Sequence, residues 1–149
     1  MADGAPRSGG PRPRHVPAAQ LSEATAQTDG MRRREAISGT TVGSAAVWMG
    51  ETRMGPATRS GDHHHGATET AIFVVSGHPR FVFLEGKAEV AIDARPGDYV
   101  FVPPWVPHRE ENPSPDTEAV VVIARSSQEA VVVNLQSLSA GHTRAAPER

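Results

Sequence analysis

The sequence predicts an all-β fold, a sandwich or barrel of short strands in one domain. Three observations carry this. Short β-type runs recur along most of the chain, each closed by Gly, Pro, Asn or Asp. No stretch carries the 3.6-period apolar stripe of an amphipathic helix. At 149 residues the chain suits a single domain with a modest core.

Residues 1 to 30 are rich in Gly, Pro, Ala and Arg and lack periodicity, which predicts a disordered tail. Asp3, Glu23 and Asp29 offset Arg7, Arg12 and Arg14, so a solvated tail is favoured over a binding arm. Arg32-Arg33-Arg34 opens the ordered part and reads as a solvated edge or a dimer contact. The domain is predicted over 31–138, with a C-terminal tail over 139–149. Within it the strands are expected at 35–38, 45–54, 70–75, 79–84, 87–92, 99–102, 107–111, 118–125 and 130–134. Turns are marked by Gly55-Pro56, Ser60-Gly61, Glu85-Gly86, Arg95-Pro96-Gly97-Asp98 and Asn112-Pro113.

Composition removes several function classes. A net charge of -2 gives no electrostatic case for nucleic acid or an anionic membrane surface. There is no cysteine, so a metal site must use nitrogen and oxygen, and a nucleophile cannot be a thiol. No apolar run approaches the roughly 20 residues of a membrane span, and no signal pattern opens the chain. A cytoplasmic protein is the expectation.

Two stretches carry chemistry, Asp62-His63-His64-His65-Gly66-Ala67-Thr68-Glu69-Thr70 and the run from Gly97 to Asn112. Residues two apart on a strand share a face, so His63 and His65 project together while His64 points away to solvent. A third imidazole, His108, and a nearby carboxylate complete a metal shell.

These stretches resemble the two motifs of the cupin family. The first motif reads Gly, five residues, His-x-His, three or four residues, Glu, six residues, Gly. His63-His64-His65 and Gly77 match it. The second reads Gly, five residues, Pro-x-Gly, two residues, His, three residues, Asn. Gly97, Pro103-Pro104-Trp105, His108 and Asn112 match its spacing, with Trp105 in place of the glycine. In the first motif the glutamate column falls on Thr70 counted from Gly77 and on Glu69 counted from His65. A bulge near Gly66 would turn Glu69 inward; otherwise Thr70 lines the pocket. Ala57 stands in the column of the motif's opening glycine.

The resemblance covers about 36–135 and implies a jelly-roll β-barrel of two antiparallel sheets. It implies one divalent transition metal per chain held by His63, His65, Glu69 and His108. Iron leads, with zinc, manganese, nickel or copper as alternatives. It also implies a small-molecule substrate and a homodimer, with the early strand near Ala36 a natural edge to exchange. Glu110 shares the parity of His108 and is a candidate acid or base. Thr70, Tyr99, Phe101, Trp105 and Arg53 are candidate pocket residues, and Arg125 is a further candidate for a substrate carboxylate. A metal-dependent enzyme with dioxygenase-type oxidation ranks first. An isomerase, lyase or polyketide cyclase ranks next, then a non-catalytic ligand-binding cupin.

Overall fold

The computed structural model describes residues 11–128 and 131–143. It contains eleven strands: β1 (Met31–Ile37), β2 (Trp48–Met54), β3 (Thr58–Arg59), β4 (His63–His64), β5 (Thr70–Ser76), β6 (Arg80–Glu85), β7 (Ala88–Asp93), β8 (Tyr99–Val102), β9 (His108–Asn112), β10 (Ala119–Arg125) and β11 (Val133–Asn134). They form two antiparallel sheets. The first runs β1-β2-β10-β5-β8, and the second runs β11-β4-β9-β6-β7 with β3 also on β9. One short helix, α1 (Gly39–Val42), follows β1 and is closed by a Ser38/Thr41 capping box. Among the described residues no helix is long and apolar enough to cross a membrane.

Period-2 alternation decides which residues face inward. Along β1 Met31, Arg33 and Glu35 are buried; along β10 Ala119, Val121, Ile123 and Arg125 are buried; along β5 Thr70, Ile72 and Val74 are buried. The apolar core joins Met31, Trp48, Met54, Ile72, Val74, Val121 and Ile123 of the first sheet to Phe81 of the second. The buried polar residues Arg33, Thr52, Thr70 and Arg125 share the inner face of the first sheet with this core.

The closing residues of both motifs hold loops together. Gly77 has a φ of +78°, and a Cβ there would lie 2.6 Å from the Cα of Ala119. Asn112 is fully buried, and its Nδ2 lies 2.8–3.1 Å from the carbonyls of Met54, Gly55 and Thr117. It therefore ties the loop after β2 to the loop before β10. Ala57 and Trp105, the two departures from the motif glycines, have φ of 51° and 67°. Glycine is at ease in this left-handed region, whereas a side chain there costs roughly 1 kcal/mol or more.

What the sequence predicts for residues 1–10, 129–130 and 144–149 lies outside the described residues. Before β1, however, Ser22 pairs with Glu35 through two backbone hydrogen bonds of 2.9 and 2.7 Å, and Gln27 accepts from the Arg33 amide. The chain before residue 31 thus covers part of the outer edge of β1. At the other end Leu138 is buried at the start of a 3-10 turn, Leu138–Thr143, packed on β6.

Candidate metal centre

Four side chains converge on the inner side of the second sheet. His63 lies on β4 and His65 follows it. His108 and Glu110 lie two apart on β9, and His63 is directly paired with His108. One ligand atom from each of His63, His65, His108 and Glu110 lies within 4.8 Å of all the others, and all four residues are buried. The imidazole centroids stand 4.5–5.0 Å apart.

Backbone carbonyls set the tautomers. The Nδ1 of His63 lies 2.8 Å from the Gly61 carbonyl, that of His65 2.9 Å from Val131, and that of His108 3.0 Å from Val106. A carbonyl only accepts, so each Nδ1 carries the proton and donates it. Each Nε2 keeps its lone pair for the interior, the arrangement that orients metal-binding histidines.

The charges agree with this at His63 and His65. Burial lowers the pKa of His63 and brings His65 to about 4, so both are neutral at neutral pH. Burial also pulls His108 down, but the Glu110 carboxylate more than offsets it and leaves His108 raised. Burial alone would raise Glu110; His108 beside it, and then His63 and His65, hold it at about 2, so it is ionised.

The donor set fits a metal ion. His108 Nε2 is buried with no hydrogen-bond partner. It lies 3.7 Å from Glu110 Oε1, too far for a hydrogen bond. Two ligands of one ion, each about 2.1 Å from it, sit roughly 3–3.5 Å apart, close to this spacing. Three neutral imidazoles and one carboxylate suit a divalent transition metal.

The carboxylate of the cluster is Glu110, not Glu69. Glu69 is exposed between buried Thr68 and Thr70, and its amide donates to Ser126 Oγ. Gly66 does adopt a positive φ, 58°, but the turn it makes brings Thr68 and Thr70 inward, leaving Glu69 outside. Thr70 is buried on the inner face of β5, and its Oγ1 has no hydrogen-bond partner. His64 is buried rather than solvent-exposed: its Nδ1 accepts from the Gly66 amide, and its ring lies 5.7 Å from Trp105.

The other pocket candidates lie elsewhere. Tyr99 is 80% exposed and Phe101 58%, because Val100 and Val102 take the inner parity of β8. Trp105 is 55% exposed and packs on His64, with its amide donating to Gly66. Arg53 sits on the outer face of β2, where it pairs with Glu51 and Glu118. Arg125 instead points inward, its guanidinium 5.2 Å from the Trp48 ring. Arg33, read from the sequence as part of a solvated edge, is buried too. Its signal was parity: it stands between Met31 and Glu35 on one strand face.

Comparison with known proteins agrees with this architecture. Residues 50–124, half of the chain, match the family described as "Cupin domain". No curated protein matches the chain. Among solved structures, an oxalate oxidase in complex with the substrate analogue glycolate superposes with a TM-score of 0.63 at 19% identity, over 76% of this chain and 59% of its own. Oxalate decarboxylase from Bacillus subtilis superposes with a TM-score of 0.63 at 21% identity, over 73% of this chain and 28% of its own. Peruvianin-I, a cysteine peptidase from Thevetia peruviana latex, superposes with 0.66 at 11% identity, over 81% and 76%. The chain thus spans less than two thirds of the oxalate oxidase and under a third of the decarboxylase, and at these identities the likeness is one of fold. The family match over half of its length establishes that this protein belongs to the cupin family.

Proposed function

We propose that this cupin is a metal-dependent enzyme acting on a small organic molecule, with dioxygen-dependent oxidation as its reaction class. The observation that carries the proposal is the buried cluster of His63, His65, His108 and Glu110, in which each imidazole is held by a backbone carbonyl. Iron and manganese are the proposed ions: imidazole suits iron, and the carboxylate adds affinity for harder ions. The Bacillus subtilis oxalate decarboxylase of similar fold is described with Mn(II) centres. Such an ion would supply Lewis acidity and, if redox-active, a route to dioxygen. Four protein ligands leave positions open on a six-coordinate ion.

The chain's own residues do the rest. His63 and His65 present neutral donors, because burial keeps them unprotonated. Glu110 remains ionised and would offset part of the charge of a bound ion. The apolar side chains of the core limit water around the site. The test is oxygen uptake by iron-loaded and manganese-loaded protein offered a panel of small organic acids. Metal-dependent consumption of dioxygen supports the reading. Turnover without dioxygen would replace oxidation with isomerase, lyase or cyclase chemistry.

We also propose a homodimer formed through the outer face of the first sheet. Phe101, Ala71, Ala124 and Met49 lie side by side across its strands, and Tyr99, Phe73 and Val122 form the next row. This apolar face is the larger attraction for a second copy than the edge of β1, which Ser22 partly covers.

A further inference from the structure

Five buried side-chain polar atoms among the described residues have no hydrogen-bond partner: Arg33 Nε, Thr52 Oγ1, Thr70 Oγ1, Arg125 Nε and His108 Nε2. His108 Nε2 belongs to the metal cluster. The other four fall into two pairs that the sheet register makes neighbours. Thr70 on β5 is the direct partner of Arg125 on β10, and Thr52 on β2 is the direct partner of Arg33 on β1. All four residues are more than nine-tenths buried on the inner face of the first sheet. A buried polar atom left unpaired is costly, and four in matched pairs call for an acceptor.

Charge says what kind of acceptor. The Arg125 charge bears on each of the three imidazoles, and both Arg125 and Arg33 bear on Glu110. The arginines therefore face the histidine cluster from the opposite sheet. Burial and mutual repulsion draw the Arg125 pKa down to about 10, which still leaves it charged. The carboxylates buried on these inner faces are Glu110 and Glu35, and Glu35 already accepts from Thr40 Oγ1. Two guanidiniums balance two carboxylates, so a divalent ion held by the cluster would leave the interior positive. The Arg125 guanidinium carbon lies over the Trp48 ring, 5.2 Å from its centroid, and its Nε has no partner, so this planar group is left a donor for a planar acceptor.

We propose that the barrel interior binds a small organic carboxylate, gripped by Arg125 and Thr70 on the sheet opposite the histidine cluster. Arg33 already donates Nη1 to the Ala26 carbonyl, 2.7 Å away, and only its buried Nε, with Thr52 Oγ1, is left as a lesser second anchor for a further acceptor group. This deepens the metal-centred reading above and rests on it for the excess of positive charge.

The test separates the two. Manganese-loaded protein is titrated calorimetrically with glycolate, with its neutral analogue glycolamide and with inorganic phosphate, and manganese content and melting temperature are measured on the same samples. Wild type should bind glycolate at least tenfold more tightly than glycolamide. Arg125→Met and Thr70→Val should keep their manganese, and Arg125→Met should lose glycolate affinity at least tenfold while its melting temperature holds or rises. Arg53→Met, on the outer face, should bind glycolate as wild type does. Glycolate affinity within twofold of wild type in a folded, loaded Arg125→Met would overturn the proposal. Phosphate bound more tightly than glycolate would overturn the carboxylate class. If wild type takes up no manganese, the metal reading fails and the titration is repeated on metal-free protein. Arg125-dependent glycolate binding would then sustain the carboxylate site, and its absence would overturn it.

Discussion

Glu110→Gln, set beside Glu69→Gln, asks which carboxylate completes the cluster. Glu110 is held at about 2 against an ordinary 4.5. At about 1.4 kcal/mol per pH unit, that difference is at most about 3 kcal/mol of favourable interaction, from His108 first and from His63 and His65 only where they are protonated. The sign follows from the depressed value: this stability is present above the unfolded pKa and is lost as pH falls through the folded one. Glutamine mimics the neutral carboxyl at every pH. Metal-free Glu110→Gln should therefore be less stable at pH 7 by up to about 3 kcal/mol, at most roughly 10 °C in melting temperature for a domain of this size. Its metal affinity should fall at least about 100-fold, since loss even of a group that only supports a ligand costs 10–100-fold. Glu69→Gln changes an exposed side chain and should move stability by less than about 0.5 kcal/mol. Competition against a chelating dye, with thermal melts of both metal-free proteins, reads both quantities. Metal lost in Glu69→Gln and kept in Glu110→Gln would assign the ligand role to Glu69 instead.

Acid should weaken the metal-free protein. The unfolded chain holds a proton on His65 between pH 6.5 and about 4 that the folded chain does not, so stability falls by up to about 3 kcal/mol as pH drops across that window. His63 acts in the same direction, whereas His108, raised by Glu110, gives stability below its unfolded pKa that is lost as pH rises through its folded one. Urea unfolding at pH 7 and pH 4.5 measures the balance, and a metal-free protein more stable at pH 4.5 would contradict it. Gly77→Ala should cost at least about 2 kcal/mol through its positive φ and the clash with Ala119, read as a lower urea midpoint, while metal stoichiometry is unchanged. A Tyr99→Glu/Phe101→Glu variant should run as a monomer in light scattering where wild type runs as a dimer; a wild-type monomer would remove the dimer proposal.

What could be read from the sequence followed the strength of its alternation. His63 and His65 lie two apart beside a strand, and His108 stands at fixed spacing on another, so the three imidazoles of the cluster were visible in the chain. Glu110 was visible as a residue of His108's parity, but its place at the cluster was not, because the ambiguous motif spacing drew the ligand role to Glu69. Tyr99-Val100-Phe101-Val102 is apolar at both parities, so the pattern could not say which pair faces inward; the structure turns the valines in. Arg33 lay hidden in a run of three arginines, where charge suggested a solvated edge and only the parity with Met31 placed it inside. Ala57 and Trp105 looked like losses of motif glycines. The backbone nevertheless keeps the left-handed conformation at both, because the loops are set by the bonds around them, such as Trp105 N–H to the Gly66 carbonyl.

His63, His65, His108 and Glu110 are placed to hold one metal ion. The most direct measurement is elemental analysis of protein purified without an affinity tag or added metal, beside a His63→Ala/His108→Ala variant. Wild type should contain close to one equivalent of a divalent transition metal, iron or manganese foremost, and the variant none. A well-folded wild type that contains no metal and takes up none on reconstitution would contradict it, and the barrel would stand as a binding module.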